Sequence, residues 1–186
     1  MIKHLRQIVA IPLLLLVVAC STQSGSSGQG DPELESKSRA ALNKLFETTP
    51  KAENLRYNAV AVVVFPDILK AGLILGGQGG NGVMFGKKGE VLGYYNVAAV
   101  SWGLQAGAQT FSEAMFLMND SAVSYLNSSD GWSVGVGPSI VVVDEGAAKS
   151  LTTSTMQSDV YAFIYGQQGL MAGLGVQGQK ITKLNR

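Results

Sequence analysis

The sequence is poor in the side chains on which most enzyme sites depend. His4 is the single histidine and Cys20 the single cysteine among 186 residues. A chain cut before Cys20 also loses His4, so no Ser-His-Asp triad, Cys-His pair or histidine-ligated metal site can form in it. We therefore expect no catalytic residues, no bound metal and no cofactor, although carboxylate or lysine chemistry stays formally open.

Net charge is also small. The chain has 14 Lys and Arg against 13 Asp and Glu. Removal of Lys3 and Arg6 with the first 19 residues leaves 12 basic against 13 acidic side chains, a net charge of about −1. A nearly neutral chain without a basic block argues against nucleic acid as a partner.

The first 20 residues have the pattern of a bacterial lipoprotein signal. Lys3 and Arg6 precede an apolar run over residues 8–18 that is too short to span a bilayer as a stable helix. Val17-Val18-Ala19 then precedes Cys20, as in a lipobox. We predict a signal peptide over residues 1–19, cleavage before Cys20 and lipidation of its thiol.

Lipidation of Cys20 has two consequences for location. Diacylglycerol on the thiol and a further acyl chain such as palmitate on the new amine would anchor the chain firmly, since each buried methylene contributes ~0.8 kcal/mol. Ser21 stands where an aspartate would favour the inner membrane. We therefore expect lipid anchoring in the cell outer membrane, with the periplasmic and the exposed face both open, and no thiol left for catalysis or disulfides.

The rest of the chain divides into a tether and one domain. Residues 20–30 hold the lipidated cysteine and the polar stretch STQSGSSGQG, which is typical of a flexible linker. Residues 31–186 suit a single domain. Asp31-Pro32 supplies an N-cap acceptor and a proline at the first helical position, and predicts an amphipathic helix that Pro50 ends.

After that helix the pattern changes to strands. The run AVAVVVF over residues 59–65 is typical of a strand buried on both faces. Lys87-Lys88-Gly89 predicts a hairpin turn. The alternation from Ser101 to Thr110 predicts a strand with Trp102 in the core. Residues 111–127 fit a second helix, and we predict further strands over 132–143, 160–165 and 170–176.

Glycine is abundant, at 23 residues or about 12% of the chain against a usual ~7%. Glycine within strands indicates bulges, bends or close backbone approach. The predicted fold is therefore α+β, with a mainly antiparallel, strongly curved, glycine-rich and barrel-like sheet. It carries the N-terminal amphipathic helix and one or two further helices.

Three features could suggest chemistry, and we interpret all three structurally. Residues 77–82 fit G-x-G-x-x-G, but strand and turn residues follow where a dinucleotide fold needs a helix. Asp144 and Glu145 are adjacent, so in a strand their side chains would not converge. Asp67 follows Phe65-Pro66, and we expect it to open a turn or a helix.

The lysines are the candidate contacts with a membrane. Each lysine near an anionic surface contributes ~1 kcal/mol. The competing interpretation is that Lys87 and Lys88 only make a hairpin tip soluble. Trp102 and Trp132 could be interfacial anchors, but alternating strand positions favour the core. The candidate lipid-binding residues are Lys37, Lys44, Lys70, Lys87 and Lys88.

Three glycine-rich blocks resemble the SYLF domain family. They are AVAVVVFPDILKAGLILGGQGGNGVMF, SWGLQAGAQTFSEAMFLMN and YGQQGLMAGLGVQGQKI, within a resemblance that covers roughly residues 35 to 182. The resemblance implies a non-enzymatic, lipid-binding module. Eukaryotic members are associated with phosphoinositide membranes and some with actin, and their membrane binding is attributed to an N-terminal amphipathic helix with basic residues. The helix from Asp31 to Thr48 matches that region.

Three hypotheses follow from these observations. The first is a non-enzymatic envelope lipoprotein whose domain binds phospholipid or another amphiphile at the membrane, without the actin role. The second is a structural lipoprotein that docks on another envelope protein or forms homo-oligomers, using the apolar, glycine-rich residues 71–86. The third, and the least supported, is a small-molecule carrier or enzyme with its site inside the sheet.

Overall fold

A computed structural model describes residues 30–128, 131–133, 137–143 and 157–186 of the protein. Cys20, the predicted signal peptide and most of the tether lie outside these ranges, as do Asp144 and Glu145. The elements are α1 (Pro32–Thr48), α2 (Pro50–Asn58), β1 (Ala61–Gly72), β2 (Leu75–Gly86), β3 (Val91–Leu117), α3 (Asp120–Leu126), β4 (Trp132–Ser133), β5 (Ile140–Val143) and β6 (Val160–Leu184). All strand pairings among the described residues are antiparallel except β5 with β6. The predicted α+β class is confirmed.

The N-terminal helix α1 forms as predicted. The Asp31 carboxylate accepts a hydrogen bond from the Leu34 amide at 3.0 Å. Arg39 fixes the helix to the β2–β3 turn by donating to the Gly89 carbonyl at 2.8 Å, and its guanidinium lies 4.5 Å from the centre of the Phe85 ring. Pro50 does end α1, but it also begins α2, because proline suits the first turn of a helix. We did not predict this second helix.

The predicted helix over residues 111–127 was largely wrong. Phe111 to Leu117 continue β3, and only Asp120–Leu126 are helical, with the Asn119 side chain accepting from the Ala122 amide at 2.9 Å. The error has a physical cause. Both faces of this strand segment are buried, so the alternation that marks a half-exposed strand is missing from the sequence.

The long strands β3 and β6 form the frame of the sheet. They pair from Tyr94 opposite Leu184 to Leu117 opposite Val160, so the separate strands predicted over 160–165 and 170–176 are one element. The β1–β2 hairpin lies along the other edge of β3. There β2 pairs with the first part of β3 and β1 pairs with its last part.

This arrangement forces β3 to bend at its middle, where the hairpin turn meets it. The Gly103 amide donates to the Ile74 carbonyl at 3.1 Å. Gly103 and Gly107 have φ angles of 150° and 129°, which glycine adopts at little cost. The bend curves the sheet strongly, so the predicted curvature is confirmed.

The curved sheet has two faces, each with its own apolar core. The outer face packs under α1 and α2 through side chains such as Val64, Phe116 and Phe163, with Leu45 and Leu55 from the helices. The inner face packs around α3 and a fully buried Trp132. The list of inner-face core residues includes Ala61, Val63, Phe65, Ile68, Met84, Tyr95, Val97, Phe111, Met115, Leu117, Val160, Ala162 and Ile181.

The helices cover only part of the outer face. We call the part of the sheet beneath them the covered half and the part around the hairpin turn the open half. The covered half comprises residues 61–65, 83–86, 93–97, 113–117, 160–164 and 181–184. The open half comprises residues 68–80, 98–103, 107–111 and 166–171.

Candidate functional site

The open half ends in a group of exposed apolar side chains. At the hairpin turn Leu73 is 71% exposed, and on the neighbouring strand Trp102 is 70% exposed. Trp102 lies opposite Leu75, and Leu170 lies opposite Ala108, so these side chains share the outer face. We call this group the apolar tip: Leu69, Leu73, Ile74, Leu75, Val100, Trp102 and Leu170, all more than half exposed.

The inner face of the same half carries several polar side chains next to the apolar Ile68 and Phe111. Gln78 and Ser101 are buried there, beside the half-buried Lys70 and Gln109, and Glu113 is buried on the same face where the covered half begins. Lys70 lies opposite both Gln78 and Gln109 in the sheet register. The open half therefore has apolar side chains outside and polar side chains inside, the reverse of the usual arrangement of a protein in water.

Glu113 is the most unusual of these polar groups. Its carboxylate accepts from Gln179 Nε2 at 3.2 Å and 3.4 Å, across the inner face from a different part of the sheet. Burial raises the pKa of Glu113 to about 7 from an ordinary 4.5, and the Gln179 hydrogen bond offsets only part of that rise. Sequence reasoning missed this buried carboxylate, because we predicted a helix over residues 111–127.

The structure does not bring the five candidate lysines together. Lys37 and Lys44 lie on α1, beside one surface groove that also contains Asp67 and Phe111. Lys37 is paired with Glu33 at 2.8 Å, and this hydrogen bond raises the pKa of Lys37.

The other three lysines lie at two ends of the sheet. Lys87 and Lys88 form the β2–β3 turn, so the 12-residue strand β2, roughly 40 Å long, separates them from the hairpin turn at Leu73. Lys70 alone lies next to the apolar tip, between Leu69 and Ala71. Lipid contact by each of the five remains a prediction.

The two tryptophans differ in solvent exposure. Trp132 is fully buried, as we expected, whereas the expectation of a core position for Trp102 was wrong. The sequence did hold a signal for the tip. Leu73 and Ile74 form the turn itself, whereas turns normally carry glycine, proline, asparagine or aspartate.

The G-x-G-x-x-G stretch over residues 77–82 lies within strand β2, and strand continues beyond it to Gly86. This agrees with a structural interpretation of the motif. In the described part of the chain, no cluster of three or more His, Cys, Asp or Glu could hold a metal ion. No helix in those ranges is both long and apolar enough to cross a membrane.

A comparison with protein families supplies an independent result. Residues 98–186 match the family model Ysc84, described as a Las17-binding protein actin regulator. This match to residues 98–186 is a match to the SYLF domain family. The SYLF match contains Val100, Trp102, Glu113 and Leu170, and it agrees with the resemblance of the second and third glycine-rich blocks. A search of curated proteins finds no match to the chain.

Proposed function

We propose that the protein is a non-enzymatic cell-envelope lipoprotein, anchored through Cys20 in the outer membrane, whose SYLF domain binds phospholipid or another amphiphile at the membrane surface. The apolar tip is the contact that enters the lipid. The family assignment supports the general class, since SYLF domains are lipid-binding or actin-associated. The exposed apolar side chains of the tip favour contact with a membrane over contact with a polar partner.

The observation that carries this proposal is the reversed arrangement of the open half. Exposed apolar side chains usually occur singly on a soluble domain, and a contiguous group marks an interaction site. Here seven of them converge where the hairpin turn meets the bend of β3. Each contributes on the order of 1–2 kcal/mol when it leaves water, so several together offset the cost of association.

The geometry also sets the depth of contact. From Ala98 to Trp102 the outer face of β3 extends roughly 15 Å. That length reaches into one leaflet and not across a bilayer whose apolar core is ~30 Å thick. Below this level Lys180, which pairs with Ala98, is exposed and would meet the headgroups.

Vesicle flotation of residues 30–186, which lack the predicted acyl anchor, tests the proposal. Vesicles of phosphatidylethanolamine, phosphatidylglycerol and cardiolipin are compared at low and high salt. We expect flotation of the unmodified domain and an approximately tenfold weaker association for Trp102→Ser. The matched control is Tyr57→Ser, since Tyr57 is 74% exposed but lies on α2, away from the tip.

The salt series distinguishes membrane binding through the apolar tip from membrane binding through the lysines. Binding through the tip persists at high salt, whereas binding through Lys37, Lys44, Lys70, Lys87 or Lys88 weakens. Equal flotation of the Trp102 and Tyr57 variants would contradict the role of the tip. Absence of flotation on every vesicle would leave membrane attachment to Cys20 alone.

The second candidate is docking on another envelope protein or self-association. One observation favours it. Strand β5 pairs only with β6 among the described residues, and its Val142 is 60% exposed. An edge strand with exposed apolar side chains can accept a further strand. Crosslinking in intact cells separates the candidates, because a single dominant protein adduct at β5 favours docking.

A further inference from the structure

A groove of about 200 Å³ lies where α1 and α2 meet the β2–β3 turn. One wall is apolar and is formed by buried side chains, among them Leu42 from α1, Val62 from β1 and Phe85 from β2. The charged side chains that line the groove are all cationic and come from both helices and the turn: Arg39, Arg56 and Lys87. The groove therefore places positive charge beside an apolar surface.

The positive charge of this groove is not neutralised within it. No aspartate or glutamate lines it, and none of its three cations has a salt-bridge partner among the residues that the structure describes. Glu90 lies next to Gly86 at the edge of the groove, where its carboxylate accepts a hydrogen bond from the Lys88 amide at 3.0 Å. Like charges that share one groove repel one another, and a bound anion reduces that repulsion.

Aromatic rings hold both guanidinium groups in place. The Arg39 guanidinium lies 4.5 Å from the centre of the Phe85 ring and donates from Nη2 to the Gly89 carbonyl. The Arg56 guanidinium lies 5.8 Å from the centre of the Phe46 ring. A ring contact uses the face of a guanidinium and leaves its N–H edge available, and each guanidinium carries five N–H donors. Both arginines can therefore donate to a ligand without a large loss of side-chain freedom.

The hydrogen bonds of the β2–β3 turn favour a carboxylate over a phosphate as the ligand. The Gly86 and Gly89 amides donate to carbonyls within the turn at 2.9 Å, and the Lys88 amide donates to Glu90. Phosphate sites commonly use backbone N–H groups as donors, and those of this turn are already occupied. A guanidinium edge matches the two oxygens of a carboxylate, and the apolar wall suits a short hydrocarbon chain.

We propose that this groove binds a small organic acid, with its carboxylate on Arg39 and Arg56 and its apolar chain against Leu42, Val62 and Phe85. A volume of about 200 Å³ corresponds to roughly seven water molecules, so an acid of on the order of four to six carbons fits. The groove includes Gly86 at one end of β2, and the apolar tip includes Leu75 at the other end. Either proposal can therefore fail alone.

Calorimetric titration of the full chain in detergent micelles at pH 7 tests this proposal, with titrations of micelles alone subtracted. The probes are pentanoate, acetate, 1-pentanol and inorganic phosphate. We expect saturable binding of pentanoate, weaker binding of acetate because it lacks the chain, and no binding of 1-pentanol because it lacks the charge. No saturable binding of pentanoate, or equal binding of pentanoate and either acetate or 1-pentanol, would overturn the proposal. Tighter binding of phosphate than of pentanoate would overturn the assignment to an organic acid.

A matched pair of substitutions locates the binding. Arg56→Gln removes one charge from the groove and leaves the contact of Arg39 with Gly89 intact, and we expect pentanoate binding to weaken roughly tenfold or more. Lys88→Gln is the control, since it removes the same charge from the neighbouring turn position that does not line the groove. We expect it to change binding less than twofold. An unchanged affinity in Arg56→Gln, or an equal loss in both variants, would contradict the site.

Discussion

The covered and open halves of this domain are made from the same strands, yet they differ in which face of the sheet is buried. In the covered half, α1 and α2 close the outer face and α3 with Trp132 closes the inner face, so β1 is buried on both sides from Ala61 to Pro66. In the open half, none of the described helices covers the exposed apolar side chains of the outer face, and polar side chains lie on the inner face.

The difference separates the part of the domain that stabilises the fold from the part that we propose contacts lipid. Two-sided burial stabilises the covered half through close packing. The open half gives up that contribution and keeps a surface that lipid can cover. Five substitutions in four experiments test this division, and the experiments are ordered by the size of the expected effect.

The largest effect should come from the covered half. Phe116 is fully buried, and its ring lies 5.6 Å from Phe163 in an edge-to-face contact. We expect Phe116→Ala to lower the free energy of unfolding by about 3–5 kcal/mol, since a cavity replaces the ring. Urea denaturation measures it. A loss below 1 kcal/mol would mean that the covered half is not the source of stability.

The second effect depends on pH and concerns Glu113. Its folded-state pKa of about 7 lies above the ordinary 4.5, so the native protein loses stability as the pH rises through this window. Below pH 4.5 the carboxyl is neutral in both states and contributes nothing. We expect Glu113→Gln to raise the free energy of unfolding by about 3 kcal/mol at pH 8 and to leave it nearly unchanged at pH 4.

Denaturation of both proteins at the two pH values checks this expectation. The same gain at pH 4 and pH 8 would show that titration of Glu113 is not its cause. A loss at both would show that the hydrogen bond from Gln179 matters more than the burial of charge.

Two glycines of β2 sharpen the comparison further. A Cβ atom at Gly82, at the edge of the covered half, would lie 2.5 Å from the Phe65 ring, whereas at Gly77, in the open half, its nearest neighbour would be the Ala99 carbonyl at 3.9 Å. We expect Gly82→Ala to destabilise the fold by about 1–3 kcal/mol and Gly77→Ala to change it by less than ~0.5 kcal/mol. Thermal denaturation of the pair is the measurement, and equal losses would contradict the division.

The smallest effect on stability belongs to the tip. Because Trp102 is 70% exposed, Trp102→Ala should change the free energy of unfolding by less than about 0.5 kcal/mol. Chemical denaturation checks this next to flotation. A large loss of stability would mean that Trp102 is a structural residue, and its effect on vesicles could not then be assigned to lipid contact.

The sequence alone determined the local features of this protein, because they depend on neighbouring residues. Asp31-Pro32 specified the start of α1, the apolar run from Ala59 specified a strand buried on both faces, and Lys87-Lys88-Gly89 specified a turn. The glycine content indicated curvature. The scarcity of histidine and cysteine narrowed the kinds of catalytic and metal sites that the chain could form. The glycine-rich blocks indicated a resemblance to the SYLF domain family.

Only the tertiary structure decided which side chains meet. Trp102 and Trp132 both stand in alternating stretches, and the helices and the bend at Gly103 decide that one is exposed and the other buried. Glu113 and Gln179 are 66 residues apart, and no local pattern predicts that a curved sheet places them in contact. The same long-range pairing separates Lys70 from Lys87 and leaves Leu73 and Ile74 at an uncovered turn.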